Sequence, residues 1–214
     1  MLVELVVVNF TFMVCKRWLL VFGTLLVISG LAAQEEHIIR VIFRYGSIPV
    51  HGYEKVEYEE VGGLYGGHVS FGIDSLEIGF TNRKRLHLFN DKDDFESLFY
   101  WEYLKNYENQ LLSKKVVVFM VPLTGEQYVK LRAILMQYIE NTPYDYAFFG
   151  MRCASATYDV LSQIGLFEPL PRFRNMVSNF YPRRFRAKMF RLAQENHYTI
   201  IKHTGRLTRI WEED

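Results

Sequence analysis

Cysteine is scarce in this chain of 214 residues: there are two, Cys15 and Cys153. That excludes a disulfide-stapled scaffold, and no group of Cys and His stands at metal-ligand spacing. Charge of one sign is lacking as well. The formal net charge is +1, so no global field argues for a nucleic-acid partner. A glycine-rich phosphate loop, an internal repeat and a low-complexity linker are all missing. No metal and no cofactor is therefore expected. What remains is a chain of one domain's length in which half the residues are hydrophobic and 16% are aromatic, enough for one large core or a lined groove.

The long apolar run stands near the start. Lys16 and Arg17 precede Trp18 to Ile28, followed by Ser29-Gly30-Leu31-Ala32-Ala33-Gln34. A basic segment, an apolar segment and small residues in that order predict a secretory signal over residues 1–33, cleaved after Ala32 or Ala33. Left uncleaved, the same stretch is a membrane anchor; Met13 is an alternative start. The expected location is the periplasm, the cell envelope or the exterior. Cleavage removes Lys16, Arg17 and Glu4, two of the 25 basic and one of the 24 acidic residues, and leaves zero formal charge. It also removes Cys15, so Cys153 has no internal partner. A lone cysteine retained in an exported chain is either deeply buried or chemically used.

Residues 34–214 read as a single α+β domain. Ile38 to Phe43 predicts a buried strand and Tyr53 to Tyr58 an exposed edge strand. His68–Ile73 and Leu76–Thr81 predict a hairpin turning at Asp74-Ser75. Pairing Ile73 with Leu76 sets Gly72 opposite Glu77, and alternation then puts His68, Ser70, Glu77 and Thr81 on one face. Arg83 to Phe89 predicts a further strand, Asp91 to Asn106 a helix with an acidic first turn, and Lys115 to Val121 a central strand ended by Pro122. Thr124-Gly-Glu-Gln127 has the form of a capping box and starts a helix that stops before Pro143. Residues 172–214 add a helix opened by Pro182 and a C-terminal hairpin of Tyr198–Lys202 with Leu207–Trp211.

Two stretches carry chemistry. Tyr144 to Gly150 is an aromatic loop, and the following residues to Gly165 form a helix with Tyr158, Leu161 and Ile164 on its apolar stripe, so Cys153 falls in the first turn. Unpaired amides and the helix dipole favour a thiolate there. Upstream, glycines crowd before His68, which opens its strand at the rim of a sheet beside open space. A nucleophilic cysteine needs a base, and the base needs an orienting group. Glu77 is the candidate for that third role, set against the plainer reading of a solvated carboxylate.

Gly67-His68-Val69-Ser70 opening a strand, and Arg152-Cys153-Ala154-Ser155 opening a helix, resemble the circularly permuted papain-like cysteine hydrolases, relatives of NlpC-type cell-wall peptidases and of lecithin:retinol acyltransferase. The approach from Pro143-Tyr144 through Leu161 is similar too, and the resemblance covers roughly residues 38–165. It implies a papain-like core in which an antiparallel sheet packs on helices, Cys153 as nucleophile, His68 as base and amides near Cys153 as an oxyanion hole. The implied activity is hydrolysis or acyl transfer on an amide or ester, with a cell-wall peptide or a lipid acyl group as substrate. A catalytically silent envelope protein that keeps the groove for binding is the alternative.

From Arg172 to Arg191 there are seven basic residues and no acidic one. A solvated face is the plain expectation. The other is contact with an anionic membrane surface or wall polymer, led by Arg183, Arg184, Arg186 and Lys188.

Overall fold

The computed structural model describes residues 37–55, 63–91, 97–104 and 113–214. The signal or anchor expected over residues 1–33 lies outside them. Among these residues eight strands are β1 (His37–Arg44), β2 (Ser47–Pro49), β3 (His68–Ile73), β4 (Leu76–Asn82), β5 (Ser97–Tyr103), β6 (Lys115–Leu123), β7 (Thr199–Thr204) and β8 (Arg209–Trp211). Among the described residues four helices are α1 (Gly125–Glu140), α2 (Cys153–Gln163), α3 (Arg172–Ser178) and α4 (Pro182–Glu195). Six strands make one antiparallel sheet in the order β5-β4-β3-β1-β6-β7, while β2 and β8 pair separately.

Alternation sorts the sheet into two faces. Ile39, Val41 and Phe43 of β1, Val69 and Phe71 of β3, Phe80 of β4 and Phe119 of β6 are all buried in one cluster with Leu131, Leu135, Val160, Leu161, Phe185 and Met189 from α1, α2 and α4. Each such side chain stabilises the fold by roughly 1.5–3 kcal/mol relative to an exposed one. The opposite face holds a small cluster of Ile42, Val116 and Val118, with Leu104 and Met120 against it. An α+β layer structure follows: helices cover one face of an antiparallel sheet.

The β3–β4 hairpin has the expected register, with Ile73 opposite Leu76 and Gly72 opposite Glu77. Asp74 takes φ 52° in the turn, a left-handed conformation that Asp tolerates. The capping box forms too. Gln127 N–H donates to Thr124 Oγ1 at 3.2 Å and Thr124 N–H to Gln127 Oε1 at 3.1 Å, and the Gln127 amide nitrogen reaches the Ile164 carbonyl at the end of α2.

Other expectations are corrected. Residues 97–103 of the expected Asp91–Asn106 helix form strand β5, paired with β4 from Asn82–Ser97 to Leu76–Tyr103. Phe99, Tyr100, Trp101 and Tyr103 favour a pleated, half-buried surface over a helix. Arg83–Phe89 forms no strand: β5 occupies the β4 edge, and the segment has only an isolated bridge from His87 to Ala147. Residues 53–55 lie in a turn, and the rest of the expected Tyr53–Tyr58 strand is outside the described residues. Strand β6 continues through Pro122, opposite Ile38, and lies second from the β7 edge rather than centrally. The C-terminal hairpin does not form, because β7 pairs with β6 and β8 with β2.

Candidate functional site

Cys153 begins α2. The helix is opened by Ser155, whose hydroxyl accepts from the Arg152 amide at 2.9 Å and donates to the Arg152 carbonyl at 3.1 Å. The Arg152 guanidinium stands over the rings of Phe180 and Phe148, 4.7 and 5.7 Å from their centroids, a cation–π seat for the residue next to the thiol. The thiol is free and only 3% exposed. Three donors converge on its sulfur: the Val69 and Ala154 amides and the Tyr146 hydroxyl. Burial nevertheless outweighs them and pushes the thiol up from its ordinary value.

The Val69 contact is what brings the two motifs together. Val69 follows His68 directly, and the β3–β4 ladder starts only at Ser70–Gly79. The sulfur therefore meets the β3 backbone on the side that β4 leaves unpaired, one residue from His68, while β1 pairs with the other side. The imidazole itself goes elsewhere. With Arg44 as its partner on β1, His68 belongs to the face of Arg44 and Ser70, away from the helices. Its Nε2 stands 3.1 Å from the Tyr100 hydroxyl, and no hydrogen bond joins it to the thiol. Burial, then the charges of Arg44 and Lys114, lower the imidazole to about 3. Tyr100 is raised above the ordinary phenol range, by burial first and by Glu77 second. At neutral pH thiol, imidazole and phenol all rest uncharged.

Glu77 is fully buried, which corrects the solvated reading. Nor does it touch His68. Its carboxylate accepts from Arg44 at 2.6 and 2.7 Å and from the Ser70 hydroxyl at 2.6 Å. The pairing of β4 with β5 lays Tyr100 beside Gly79 instead, and from there it reaches His68. Sequence reasoning missed Tyr100 because that stretch reads as helix, and missed Tyr146 because an aromatic loop does not reveal which ring turns inward.

The loop before Cys153 is tied down at Asp145. His87 Nδ1 lies 2.6 Å from its Oδ2, the Asp91 amide donates to the same oxygen at 3.0 Å, and Ser97 Oγ donates to Oδ1 at 3.3 Å. Serine, aspartate and histidine meet here with the carboxylate in the middle, so the serine has no base and the group serves as a clamp. It joins residues 87–91 to the loop that delivers Tyr146 and Cys153.

The basic segment does not form the expected cluster. Arg186 is 1% exposed and lies against Glu212 and Asp214, with its guanidinium 3.7 Å from the Tyr45 ring centroid. Lys188 donates to Asn179 Oδ1 at 2.8 Å and stands over Tyr158. Arg183 and Arg184 remain on the surface, donating to the carbonyls of Asp214 and Val177. The apolar stripe of Phe185 and Met189 turns α4 so that Arg186 faces inward as well. Comparison with protein-family models, curated proteins and solved structures finds no match to this chain, and the site is read from its own residues.

Proposed function

We propose that the chain is an exported cysteine hydrolase or acyltransferase of the permuted papain-like kind, with Cys153 as nucleophile and His68 as base. One observation carries the reading. The Cys153 sulfur, in the first turn of a helix, accepts a hydrogen bond from the amide that follows His68. The imidazole itself is turned to Tyr100, so catalysis requires the ring to swing toward the thiol; apo geometry at such pairs is commonly loose.

The resting state is a neutral pair, so the chemistry is general-base catalysis. As the sulfur bonds to the carbonyl carbon of an amide or ester, its proton passes to His68 and the carbonyl electron pair moves to oxygen. Collapse expels the amine or alcohol, which takes that proton back, and leaves a thioester. Water or a second acceptor then attacks the thioester with His68 again accepting a proton. Donors now on the sulfur, chiefly the Ala154 amide and the Tyr146 hydroxyl, are suited to the negative oxygen. Cell-wall peptides and lipid acyl groups are the substrate classes that the resemblance suggests.

A second reading is a catalytically silent envelope protein, favoured by the hydrogen bond that His68 makes to Tyr100 rather than to Cys153. Iodoacetamide labelling of folded protein at pH 7, in wild type and in His68→Asn, decides between them. The enzyme reading expects the variant to label roughly 100-fold more slowly, the lower end of what a positioned base contributes. Equal rates, or a wild-type thiol that does not label while folded, overturn it in favour of the silent protein.

A further inference from the structure

We infer that Tyr100 is the residue that positions His68, holding the far ring nitrogen so that the near one faces Cys153; this rests on the nucleophile–base reading above. The contact is made by Nε2, at 3.1 Å from the hydroxyl. That nitrogen is the one remote from the histidine's own main chain. The sulfur lies on the main-chain side, because it is bound to the amide of Val69. Nδ1, bonded to the ring carbon that carries Cβ, is therefore the nitrogen left to serve the thiol. No hydrogen bond is made by Nδ1 among the described residues.

A second observation is independent of the first. Tyr100 lies across β4 at Gly79, its cross-strand partner. A methyl group at position 79 would stand 2.7 Å from the ring edge and the hydroxyl, closer than van der Waals contact permits. Glycine at that point lets the phenol lie low over the sheet and reach past β4 to β3. Its neighbours on the same strand, Ile78 and Phe80, are core residues, so the bare position is a local allowance for Tyr100. The Arg44–Glu77–Ser70 group is packed on this face too and fixes the floor beneath both rings.

The proton balance follows. When Nδ1 takes the thiol proton, the ring becomes an imidazolium whose Nε2–H donates to the phenol oxygen. When Nδ1 returns the proton to the leaving group, the ring is left as the Nε2–H tautomer, ready for the next step. Tyr100 neither gains nor loses a proton; it holds the ring and its tautomer.

Nitrogen-15 labelled histidine in the intact folded protein reads this directly. Two-bond proton–nitrogen correlation at pH 7 is expected to show His68 of the wild type as the Nε2–H tautomer, and Tyr100→Phe, which keeps the ring, to lose that preference. The same variant is expected to label with iodoacetamide at least ~10-fold more slowly, the direction of a base left in the wrong tautomer. A His68 that is Nδ1–H in the wild type, or whose nitrogens Tyr100→Phe does not move, overturns the inference. That result is separable from failure of the catalytic reading, which is reported by His68→Asn and the thiol rather than by the tautomer.

Discussion

Arg44 on β1 reaches across β3 to Glu77 on β4 and meets both oxygens of a carboxylate that no solvent touches. Ser70, on the strand between them, donates to the same carboxylate. The guanidinium is itself nearly buried, with 10% of its side chain exposed. A buried pair of this kind adds little net stability over a hydrophobic replacement, yet removing one partner strands the other. Glu77→Gln should therefore lower stability by about 3–5 kcal/mol, while Arg44→Met with Glu77→Leu should recover most of that loss. Urea unfolding of the three proteins checks it, and a single variant within 1 kcal/mol of wild type would contradict the pairing.

His68 gives stability a sign with pH. Its folded value, lowered to about 3, lies below the ~6.5 of an unfolded histidine. Between those values the unfolded chain holds a proton that the folded chain does not, so stability falls as the solution is acidified below ~6.5. The limiting slope is about 1.4 kcal/mol per pH unit, reduced here because the ring is partly exposed. The melting temperature of wild type should drop more between pH 7 and pH 5 than that of His68→Gln. Parallel curves would show that the imidazole charges freely in the folded state.

The clamp at Asp145 makes a prediction about the thiol from a distance. Asp145 is 2% exposed and joins His87, Asp91 and Ser97. In the same loop a methyl group at Gly150 would lie 1.9 Å from Asn90 Oδ1, so the Asn90 side chain packs directly on the bare backbone at Gly150. Asp145→Asn should keep the size of the side chain and loosen the loop that carries Tyr146. The expected result is faster hydrogen exchange over residues 144–151 together with greater exposure of Cys153 to alkylation. Unchanged exchange there would leave Asp145 without this role.

Some of this architecture was legible because short-range chemistry decides it. A two-residue turn at Asp74-Ser75 sets every pairing of the β3–β4 hairpin, and Thr124 with Gln127 sets the start of α1. Gly165, with φ +81°, closes the helix that Cys153 begins. What was not legible depends on which strand lies beside which. Residues 91–96 carry acidic side chains that suit a first helical turn, and nothing local announces that Phe99 and Tyr100 will be recruited to the β4 edge. Once β5 was missed, Tyr100 could not be paired with His68, and Glu77 stood as the nearest polar substitute. Burial of Glu77 was hidden for the same reason: its partner Arg44 is 33 residues away.

Arg186 separates a structural arginine from a surface one. On α4 it lies beside Arg183 and Arg184 in sequence, yet it is 1% exposed whereas they are on the surface. Its Nη1 sits 3.6 Å from Glu212 Oε2 and its Nε donates to Asp214 Oδ1 at 3.1 Å. The guanidinium stands over the Tyr45 ring, whose hydroxyl donates to Asp214. Replacing Arg186 by Gln would take from the buried Glu212 carboxylate the guanidinium it is paired with, with a loss of about 3–5 kcal/mol. Replacing Arg183 and Arg184 by Gln should cost within roughly 0.5 kcal/mol, as at other surface sites. If the surface pair also meets anionic lipid, the double variant should co-sediment less with anionic vesicles at 0.1 M salt, where the Debye length is ~10 Å, and the difference should vanish at 1 M, where it is ~3 Å. Arg186→Gln, compared below its own melting temperature, should sediment as wild type does. A loss of vesicle binding by folded Arg186→Gln equal to that of the double variant would mean that the inward-facing arginine is reached by lipid after all.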